Sequence, residues 1–256
     1  MALSWQDAQA KEKAFYDRIY VYNQGDIPSH QPFTRERCVA FAKKTVERFG
    51  CTMDGFAGKV LADIGCGPHG VVSGLEFYAG PRGTLPRRMY AIDPLMDTYK
   101  AYKEYGVLKE GDVIQLITAK GESIPLAGES CDYVFCTNAV DHVEEPERVI
   151  GEAHRICKAD GAFCMSLHVV NPAWTWSRPL LFLVDKNHPH HFRTRTILAL
   201  AQRHFPRVTV CTRVSVTEDH PEFTLARVLT SGHPLRALKR WASNVILSTL
   251  YVRCQK

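Results

Sequence analysis

The stretch Val60-Leu-Ala-Asp-Ile-Gly-Cys-Gly-Pro-His-Gly70 decides the fold of this chain. A short apolar run surrounds one acid, Asp63, and passes into a glycine-rich turn before a second apolar segment begins at Val71. Glycine lets the backbone of such a turn come close to a ligand, because it adopts dihedral angles that are closed to other residues. A strand, a glycine turn and a helix in this order favour binding of a nucleotide-like ligand. A tight turn with a purely structural role would account for the same residues.

The bulk composition is typical of a globular protein. The 256 residues suffice for one α/β domain with additions, and 45% hydrophobic with 23% charged residues is an ordinary balance. No apolar run predicts a transmembrane helix, and the polar N-terminus does not resemble a secretory signal. The nine cysteines include no CxxC pair, which argues against a zinc ribbon or a redox dithiol and predicts a reducing, cytoplasmic location.

Strands and helices alternate along the chain. Hydrophobic periodicity predicts helices over 4–22 and 33–49 before the first strand. The predicted strands cover 59–64, 88–92, 113–119, 132–137, 161–167, 207–214 and 223–230. This order predicts an α/β, Rossmann-like fold with a seven-stranded, mostly parallel sheet and helices on both faces. The connection between the last two strands is too short for a crossover helix, so they are predicted to form an antiparallel edge pair.

A second acid, Asp93, closes the second predicted strand. A carboxylate at this place accepts charge-assisted hydrogen bonds from both hydroxyls of a ribose. The same residue also suits the N-cap of the segment that starts at Pro94, and the two roles are compatible. A third element follows at Gly121-Glu-Ser-Ile-Pro-Leu-Ala-Gly-Glu-Ser-Cys-Asp-Tyr-Val134, between the third and fourth predicted strands.

The third element resembles a segment of the class I S-adenosylmethionine-dependent methyltransferases. It is most similar to their small-molecule group, which is related to the ubiquinone and menaquinone biosynthesis enzymes. The glycine turn, the Ala-Ile-Asp-Pro sequence ending at Pro94 and the signature Asn138-Ala-Val-Asp-His-Val-Glu-Glu-Pro-Glu-Arg-Val-Ile150 match the same family in order. The resemblance spans about residues 55–170, whereas a nicotinamide-dependent enzyme would explain only the first two motifs.

The resemblance implies S-adenosylmethionine as the cofactor. The residues that it implies for cofactor binding are Asp63, Gly65, Cys66, Gly67, Asp93, Pro94, Gly121, Glu122, Asn138 and Ala139. In the family pattern the glycine turn faces the methionine part, Asp93 holds the ribose, and Asn138 lies near the sulfonium. Two features depart from the pattern: Lys120 stands where many relatives carry an acid for the adenine amino group, and Pro68-His69 interrupts the turn.

Three histidines, His142, His168 and His191, are the candidates for catalysis. Methyl transfer is an in-line displacement, so the enzyme must align the acceptor and, for a hydroxyl or ammonium group, remove a proton. His142 follows the fourth strand and also suits a helix start, while His168 closes the fifth strand and also suits a packed loop. His191 belongs to the cluster 188–192, which we predict to cap the acceptor pocket; no metal is predicted, because supporting ligands are missing.

The chain divides into three predicted regions. Residues 1–54 form a helical cap whose aromatic side chains either cover the cofactor or simply pack. Residues 55–232 form the methyltransferase domain, with an acceptor-binding insert at about 168–195. Residues 233–256 form a basic helical extension that carries the net charge of +5, since the rest of the chain is balanced. This extension packs on its own domain or a second subunit, or lies on anionic lipid.

The predicted function is methyl transfer from S-adenosylmethionine to a small-molecule acceptor, with oxygen as the methylated atom. A lipid-linked or saccharide acceptor is one alternative, and a cofactor-binding module without activity is another. The predicted partners are the small-molecule acceptor, a second copy of the chain in a homodimer, and a membrane surface contacted through 233–256. A nucleic-acid partner is not predicted, because the body of the chain has no excess positive charge.

Overall fold

A computed structural model describes residues 5–21, 34–102, 108–174, 189–215 and 245–256. The described helices are α1 Trp5–Tyr20, α2 Arg35–Arg48, α3 Gly70–Ala79, α4 Met96–Tyr99, α5 Pro146–Ile156 and α6 Thr194–Gln202. The strands are β1 Val60–Ile64, β2 Arg88–Asp93, β3 Ile114–Thr118, β4 Cys131–Thr137, β5 Cys157–Val170, β6 Arg207–Ser215 and β7 Leu247–Gln255. None of the described helices combines the length and the apolar character that crossing a bilayer requires.

The seven strands form one sheet in the order β3-β2-β1-β4-β5-β7-β6. The first five of these strands are parallel to one another, whereas β7 runs antiparallel to both β5 and β6. The order of the strands along the chain reverses between β1 and β4, and parallel α/β sheets bind ligands beyond the carboxyl ends of the strands at such a point. The predicted mostly parallel sheet with an antiparallel edge pair is confirmed.

Helices cover both faces of this sheet. Apolar residues of α5 and α6 pack on one face, among them Val149, Ala153 and Ile197. Residues of α2 and α3 pack on the other face, where Val46 and Leu75 are fully buried. The two apolar layers fix the sheet between them, so the loops at the carboxyl ends of β1, β2, β4 and β5 rest on a rigid support.

The C-terminal strand corrects the sequence-based prediction. A helix was expected throughout 233–256, but Leu247–Gln255 is a strand inserted between β5 and β6. Most of its residues are buried, because it has a neighbouring strand on each side and lies inside the protein. A strand buried on both faces lacks the alternation of apolar and polar residues that marks a strand in a sequence. Residues 233–244 and the strand predicted over 223–230 lie outside the described residues.

Candidate active site

The glycine turn connects β1 to α3 at the point where the strand order reverses. Gly65 and Gly67 have φ angles of 65° and 60°, in the left-handed region that favours glycine. The Gly65 amide donates a hydrogen bond of 2.8 Å to the carbonyl of Ile92 at the end of β2. A Cβ atom on Gly65 would lie 2.5 Å from the Cβ of Ala139, which follows β4. The turn and the loop after β4 therefore touch, and only glycine fits between them.

Asp63 lies under the turn with its side chain fully buried. Its Oδ2 accepts hydrogen bonds from the amides of Val71, at 2.6 Å, and Val72, at 3.4 Å, in the first turn of α3. Its buried Oδ1 has no hydrogen-bond partner among the described residues. Burial raises the pKa of Asp63 to about 7, against the opposing effect of the two amides. Asp63 thus orders the start of α3 and keeps one oxygen for a further donor.

Asp93 ends β2 beside the same turn, and only 4% of it is exposed. Its Oδ2 accepts a hydrogen bond of 3.0 Å from the Gly67 amide, and its Oδ1 accepts one of 2.8 Å from the Leu95 amide. Burial raises the pKa of Asp93 to about 6. A carboxylate has about four acceptor positions, so both oxygens can each accept one further hydrogen bond from a ligand hydroxyl.

Helix α1 covers the glycine turn with aromatic side chains. The Tyr16 hydroxyl is 3.1 Å from the position that a Cβ atom on Gly67 would occupy. Its ring lies edge-on to Tyr99 of α4, with 5.4 Å between the ring centroids. Burial raises the pKa of Tyr16 well above its ordinary value. The Tyr102 hydroxyl donates to Asp17 over 2.8 Å, and this bond ties α1 to the segment after α4.

His69, the unusual residue in the turn, holds α1 in this position. Its Nδ1 lies 3.3 Å from the Tyr20 hydroxyl, and its ring packs edge-on against Tyr16 and Phe41. Burial lowers the pKa of His69 to about 3, so the ring is neutral at physiological pH. The Pro68-His69 departure from the family pattern therefore has a structural reason, because the imidazole forms part of the contact between the turn and the covering helix.

The segment expected at the adenine edge lies beside the end of β1. A Cβ atom on Gly121 would be 3.0 Å from Cγ2 of Ile64. Oε1 of Glu122 accepts hydrogen bonds from the amides of Glu144, at 2.9 Å, and Glu145, at 3.2 Å. These are the amides that precede α5, so the Glu122 carboxylate stabilises the start of that helix. The family resemblance implies Glu122 in cofactor binding, and the structure shows that its carboxylate also has this structural use.

Lys120 points toward α1 and the loop after β4. Its Nζ lies 3.3 Å from Oε2 of Glu144 and 3.7 Å from the centroid of the Trp5 ring. A lysine ammonium over an indole face is a favourable cation–π contact. The lysine that replaces the family's acid therefore connects the N-terminal end of α1 to this side of the site.

The loop after β4 carries Asn138 and Ala139, which the family resemblance implies for cofactor binding. Asn138 is exposed and has a φ of 53°, a left-handed conformation that asparagine tolerates better than most residues. Its amide donates to the carbonyl of Ser166 on β5 over 2.8 Å. Ala139 faces Gly65, and its carbonyl accepts a hydrogen bond of 2.9 Å from the His142 amide. The loop is thus fixed to the glycine turn on one side and to β5 on the other.

A buried aspartate and a histidine meet on the β5 side of this loop. Asp141 is fully buried, and its Oδ2 lies 3.3 Å from the amide and 3.6 Å from Nδ1 of His168. The His168 side chain is 19% exposed, so one edge of the ring reaches the surface of the site. Because Nδ1 faces the carboxylate, Nε2 is the ring nitrogen on the opposite side. A carboxylate in this position fixes the orientation of an imidazole ring.

His190 of the cluster 188–192 lies against the loop after β4, whereas His188 lies outside the described residues. Nε2 of His190 is 2.9 Å from the carbonyl of Val143, its amide points at the carbonyl of Asp141 over 3.4 Å, and its ring stacks on Phe192. Within the described ranges, no three histidine, cysteine or acidic side chains gather as metal binding would require. The histidine segment instead closes over the loop after β4, and a bridge between Val169 and Phe192 fixes it to β5.

Comparison with known proteins identifies the domain around this site. Residues 62–165 match a protein-family model described as a methyltransferase domain. These residues form a class I S-adenosylmethionine-dependent methyltransferase domain. The match begins within β1 and ends within β5, so it contains the glycine turn, Asp93 and the loop after β4. The family resemblance and its cofactor, S-adenosylmethionine, are thereby confirmed.

Two curated human proteins are similar to part of the chain. Thiol S-methyltransferase TMT1B is 29% identical over 128 residues, which cover 49% of this chain and 49% of that protein. Thiol S-methyltransferase TMT1A is 30% identical over 126 residues, with 48% of each protein covered. The chain therefore matches about half the length of each of these relatives.

Among solved structures, the methyltransferase fold recurs at low sequence identity. The chain superposes with a TM-score of 0.61 on phosphoethanolamine N-methyltransferase 2 of Haemonchus contortus. That structure is a complex with phosphomonomethylethanolamine and S-adenosylhomocysteine. Its identity to this chain is 14%, and the alignment covers 99% of this chain and 60% of that one. At this identity the likeness concerns the fold.

The chain's own residues fit the cofactor of this domain class. The turn offers backbone without side chains at Gly65 and Gly67, and Asp93 is a buried carboxylate with acceptor positions left over. Asp63 keeps a buried oxygen without a partner in the described part of the chain, as expected beside a ligand amino group or a water molecule. Cys66 also lies in the turn, buried, with its thiol 3.3 Å from the Gly67 carbonyl.

The structure brings most of the residues selected from the sequence to one edge of the sheet. The glycine turn, Asp93 and the loop after β4 surround the carboxyl ends of β1, β2 and β4, with Pro94 half-buried beside Asp93. His142, in the loop after β4, and His191, in the histidine cluster, are both partly buried. Asp141 was not predicted as the partner of His168, although an acid in the loop that follows a buried strand was a usable signal.

Proposed function

We propose that the protein transfers a methyl group from S-adenosylmethionine to a small-molecule acceptor that loses a proton as it reacts, with a thiol as the favoured acceptor group. The observation that carries the proposal is the contact between buried Asp141 and Nδ1 of His168, beside the loop that touches the glycine turn. A partly exposed imidazole oriented by a buried carboxylate is suited to accept a proton from an acceptor.

The residues that would hold the cofactor surround the glycine turn. Backbone at Gly65 and Gly67 would lie against the methionine portion, and Asp93 would accept hydrogen bonds from the ribose hydroxyls. Asp63 would accept from the amino group, directly or through water. S-adenosylmethionine supplies an electrophilic methyl group when it is bound. Helix α1, held by the contact between Tyr20 and His69, excludes water from this side of the cleft.

The proton of the acceptor goes to His168 in this proposal. Asp141 holds Nδ1 of the ring, so Nε2 faces the side on which an acceptor would enter. The present separation of 3.6 Å between Nδ1 and the carboxylate is longer than a hydrogen bond. Such contacts are often long without substrate and shorten in the reacting complex. Removing the proton makes the acceptor atom more nucleophilic, and the proton is held on the ring beside Asp141.

A thiol is favoured for two reasons. Two human relatives of part of the chain are thiol S-methyltransferases. A thiol with an ordinary pKa of about 8.5 also gives its proton to an imidazole far more easily than an aliphatic hydroxyl does. The oxygen acceptor predicted from the sequence is the alternative that the experiment below distinguishes.

A pair of acceptors with one carbon skeleton tests the proposal. Purified protein is incubated with S-adenosylmethionine and either phenylmethanethiol or phenylmethanol, and S-adenosylhomocysteine is measured together with the methylated product. The proposal expects benzyl methyl sulfide from the thiol and little benzyl methyl ether from the alcohol. Product from the alcohol alone would favour an oxygen acceptor. Binding of S-adenosylhomocysteine in calorimetry without turnover of a panel of thiols and hydroxyl compounds would favour the binding module.

A further inference from the structure

Three cysteines meet on the α2 side of the sheet, away from the histidine cluster. Cys51 follows α2, Cys164 lies in the middle of β5 and Cys211 lies on β6. The thiols of Cys51 and Cys211 both approach the carbonyl oxygen of Phe49, at 3.9 Å and 3.7 Å. The thiols of Cys51 and Cys164 also interact, and hydrogen bonding between them shifts the pKa of each. Three segments that are distant in the chain thus bring their sulfur atoms to one place.

A positive charge lies beside this cluster. Arg253 on β7 pairs in register with Cys164 on β5, so both side chains lie on the same face of the sheet. The Nε of Arg253 is buried and has no hydrogen-bond partner within the described ranges. The titratable groups facing Cys51 from the four neighbouring strands are Tyr133 on β4, Cys164 on β5, Cys211 on β6 and Arg253 on β7. Arg253 is the charged member of this set, and it favours an anionic sulfur.

The hydrogen bond with Cys164 and the charge of Arg253 lower the pKa of Cys51 to about 7. The pKa of each of the other cysteine thiols is raised, mainly because those thiols are buried. For Cys164, the hydrogen bond with Cys51 and burial raise the pKa together. Because the thiolate is the reactive form, Cys51 is the cysteine most prone to oxidation or alkylation near neutral pH.

Cys51 is also within reach of solvent. It is partly exposed, as is Cys211, whereas Cys164 is fully buried. An open groove of about 660 Å³ is lined by Arg48 of α2, by Cys211 of β6 and by Gly50, the residue that precedes Cys51. A small oxidant can reach the partly exposed Cys51 from solvent, whereas Cys164 is the buried second thiol.

We propose that Cys51 and Cys164 form a redox pair that a hydroperoxide converts into a disulfide. The Cys51 thiolate attacks the peroxide, an S–O bond forms as the O–O bond breaks, and the leaving alkoxide or hydroxide takes up a proton. The Cys164 sulfur then attacks the Cys51 sulfur, the S–S bond forms, and the S–O bond breaks with release of water. In total the two thiols lose two electrons, and the peroxide gains them. The peroxide ends as two molecules: an alcohol, or water when the oxidant is hydrogen peroxide, and the water released in the second step.

Peptide mapping of the intact protein tests the assignment. The full chain is treated with a slight excess of hydrogen peroxide, the remaining thiols are alkylated, and the protein is digested without reductant. The proposal expects one major cross-linked peptide that joins Cys51 to Cys164 and disappears on reduction. A link from Cys51 to Cys211, a disulfide between two chains, or oxidation of Cys51 to sulfinic acid without any disulfide would each overturn it.

A second measurement separates the pair from a simple exposed thiol. The rate of Cys51 alkylation by iodoacetamide is followed against pH by mass spectrometry, with Cys211→Ala as the matched control. We expect a midpoint near pH 7 for the wild type and the control. In Cys164→Ala the rate at pH 7 should fall about tenfold, because the ordinary thiol pKa is about 8.5. An unchanged rate in a Cys164→Ala protein with a native circular dichroism spectrum would contradict the proposal. If the variant does not fold, the peptide mapping of the wild-type protein still tests the proposal, because it needs no variant.

Discussion

Replacing Gly65 by alanine tests the contact on which the candidate site is built. The new Cβ would lie 2.5 Å from the Ala139 Cβ, whereas two carbon atoms in contact are normally about 3.5–4.0 Å apart. The loop after β4 or the glycine turn must therefore move by about 1 Å. The φ of 65° adds a second cost, because a residue with a side chain is strained there.

The strain at a positive φ and the clash with Ala139 each lower the free energy of unfolding by an amount that can be stated separately. Left-handed strain costs about 1–2 kcal/mol, and an overpacked contact costs about 1–3 kcal/mol. Gly65→Ala should therefore lower the free energy of unfolding by about 2–5 kcal/mol in total. Gly83→Ala is the matched control, because Gly83 has a φ of 67° and nothing within 4 Å of its added Cβ. It should lose only the part due to strain.

A double-mutant cycle isolates the clash. Ala139→Gly removes the opposing Cβ, so Gly65→Ala combined with Ala139→Gly should recover about 1–3 kcal/mol relative to the sum of the single variants. Urea denaturation gives the free energies, and calorimetry with S-adenosylhomocysteine shows whether the binding lost in the single variant returns. Additive effects, or equal losses in Gly65→Ala and Gly83→Ala, would refute the contact between the turn and the loop after β4.

Three further predictions concern the acids and the covering helix. Asp93→Ala should weaken S-adenosylhomocysteine binding about 100-fold in calorimetry, because two charge-assisted hydrogen bonds are lost, while Asp97→Ala on the exposed side of α4 should change little. Burial raises the folded-state pKa of Asp63 from 3.8 to about 7, so its stabilising contribution is present in acid and is lost as the pH rises toward 7. Between pH 5 and pH 7, Asp63→Asn should gain about 1.4 kcal/mol per pH unit over the wild type in urea denaturation, and parallel curves would contradict this. Tyr102→Phe removes the bond to Asp17, so amide hydrogen exchange in α1 should become faster, and unchanged exchange would mean that this bond does not hold the helix.

Local patterns were sufficient to predict which part of the fold carries the candidate cofactor residues. The strand that contains Asp63, the glycine turn and the acid at Asp93 are all encoded within short segments. Their place in the sheet follows from the rule that parallel strands with crossover helices present their carboxyl ends at one edge. The order of several motifs along the chain then identified the family, which no single glycine motif could do.

Features that depend on contacts between distant segments were not predictable in the same way. The β7 strand, Leu247–Gln255, lies between two other strands, so both of its faces are buried and its apolar residues resemble one side of a helix. The contact of Asp141 with His168 depends on the register in which Thr137 of β4 pairs with Ser166 of β5. The use of Glu122 to stabilise the start of α5 likewise depends on how two loops meet.

The pairing of the thiols arises from the same kind of contact. Cys51, Cys164 and Cys211 show no motif spacing, and the absence of a CxxC pair argued against a redox dithiol. The three residues come together only because β5 and β6 lie on the two sides of β7 and α2 ends above them. Sequence spacing detects redox pairs within one segment, and it does not detect pairs assembled by the sheet.

The most direct test of the central claim compares His168→Ala with the wild type in methyl transfer to a thiol. The account predicts that both proteins bind S-adenosylhomocysteine with similar affinity, while the turnover number with phenylmethanethiol, an alkyl thiol that keeps its proton near neutral pH, falls by at least about 100-fold in the variant. His204→Ala, at a histidine that lies near Glu147 and Gly151, serves as the control and should keep full activity. Equal turnover by wild type and His168→Ala, or absence of S-adenosylhomocysteine binding to the wild type, would contradict the account.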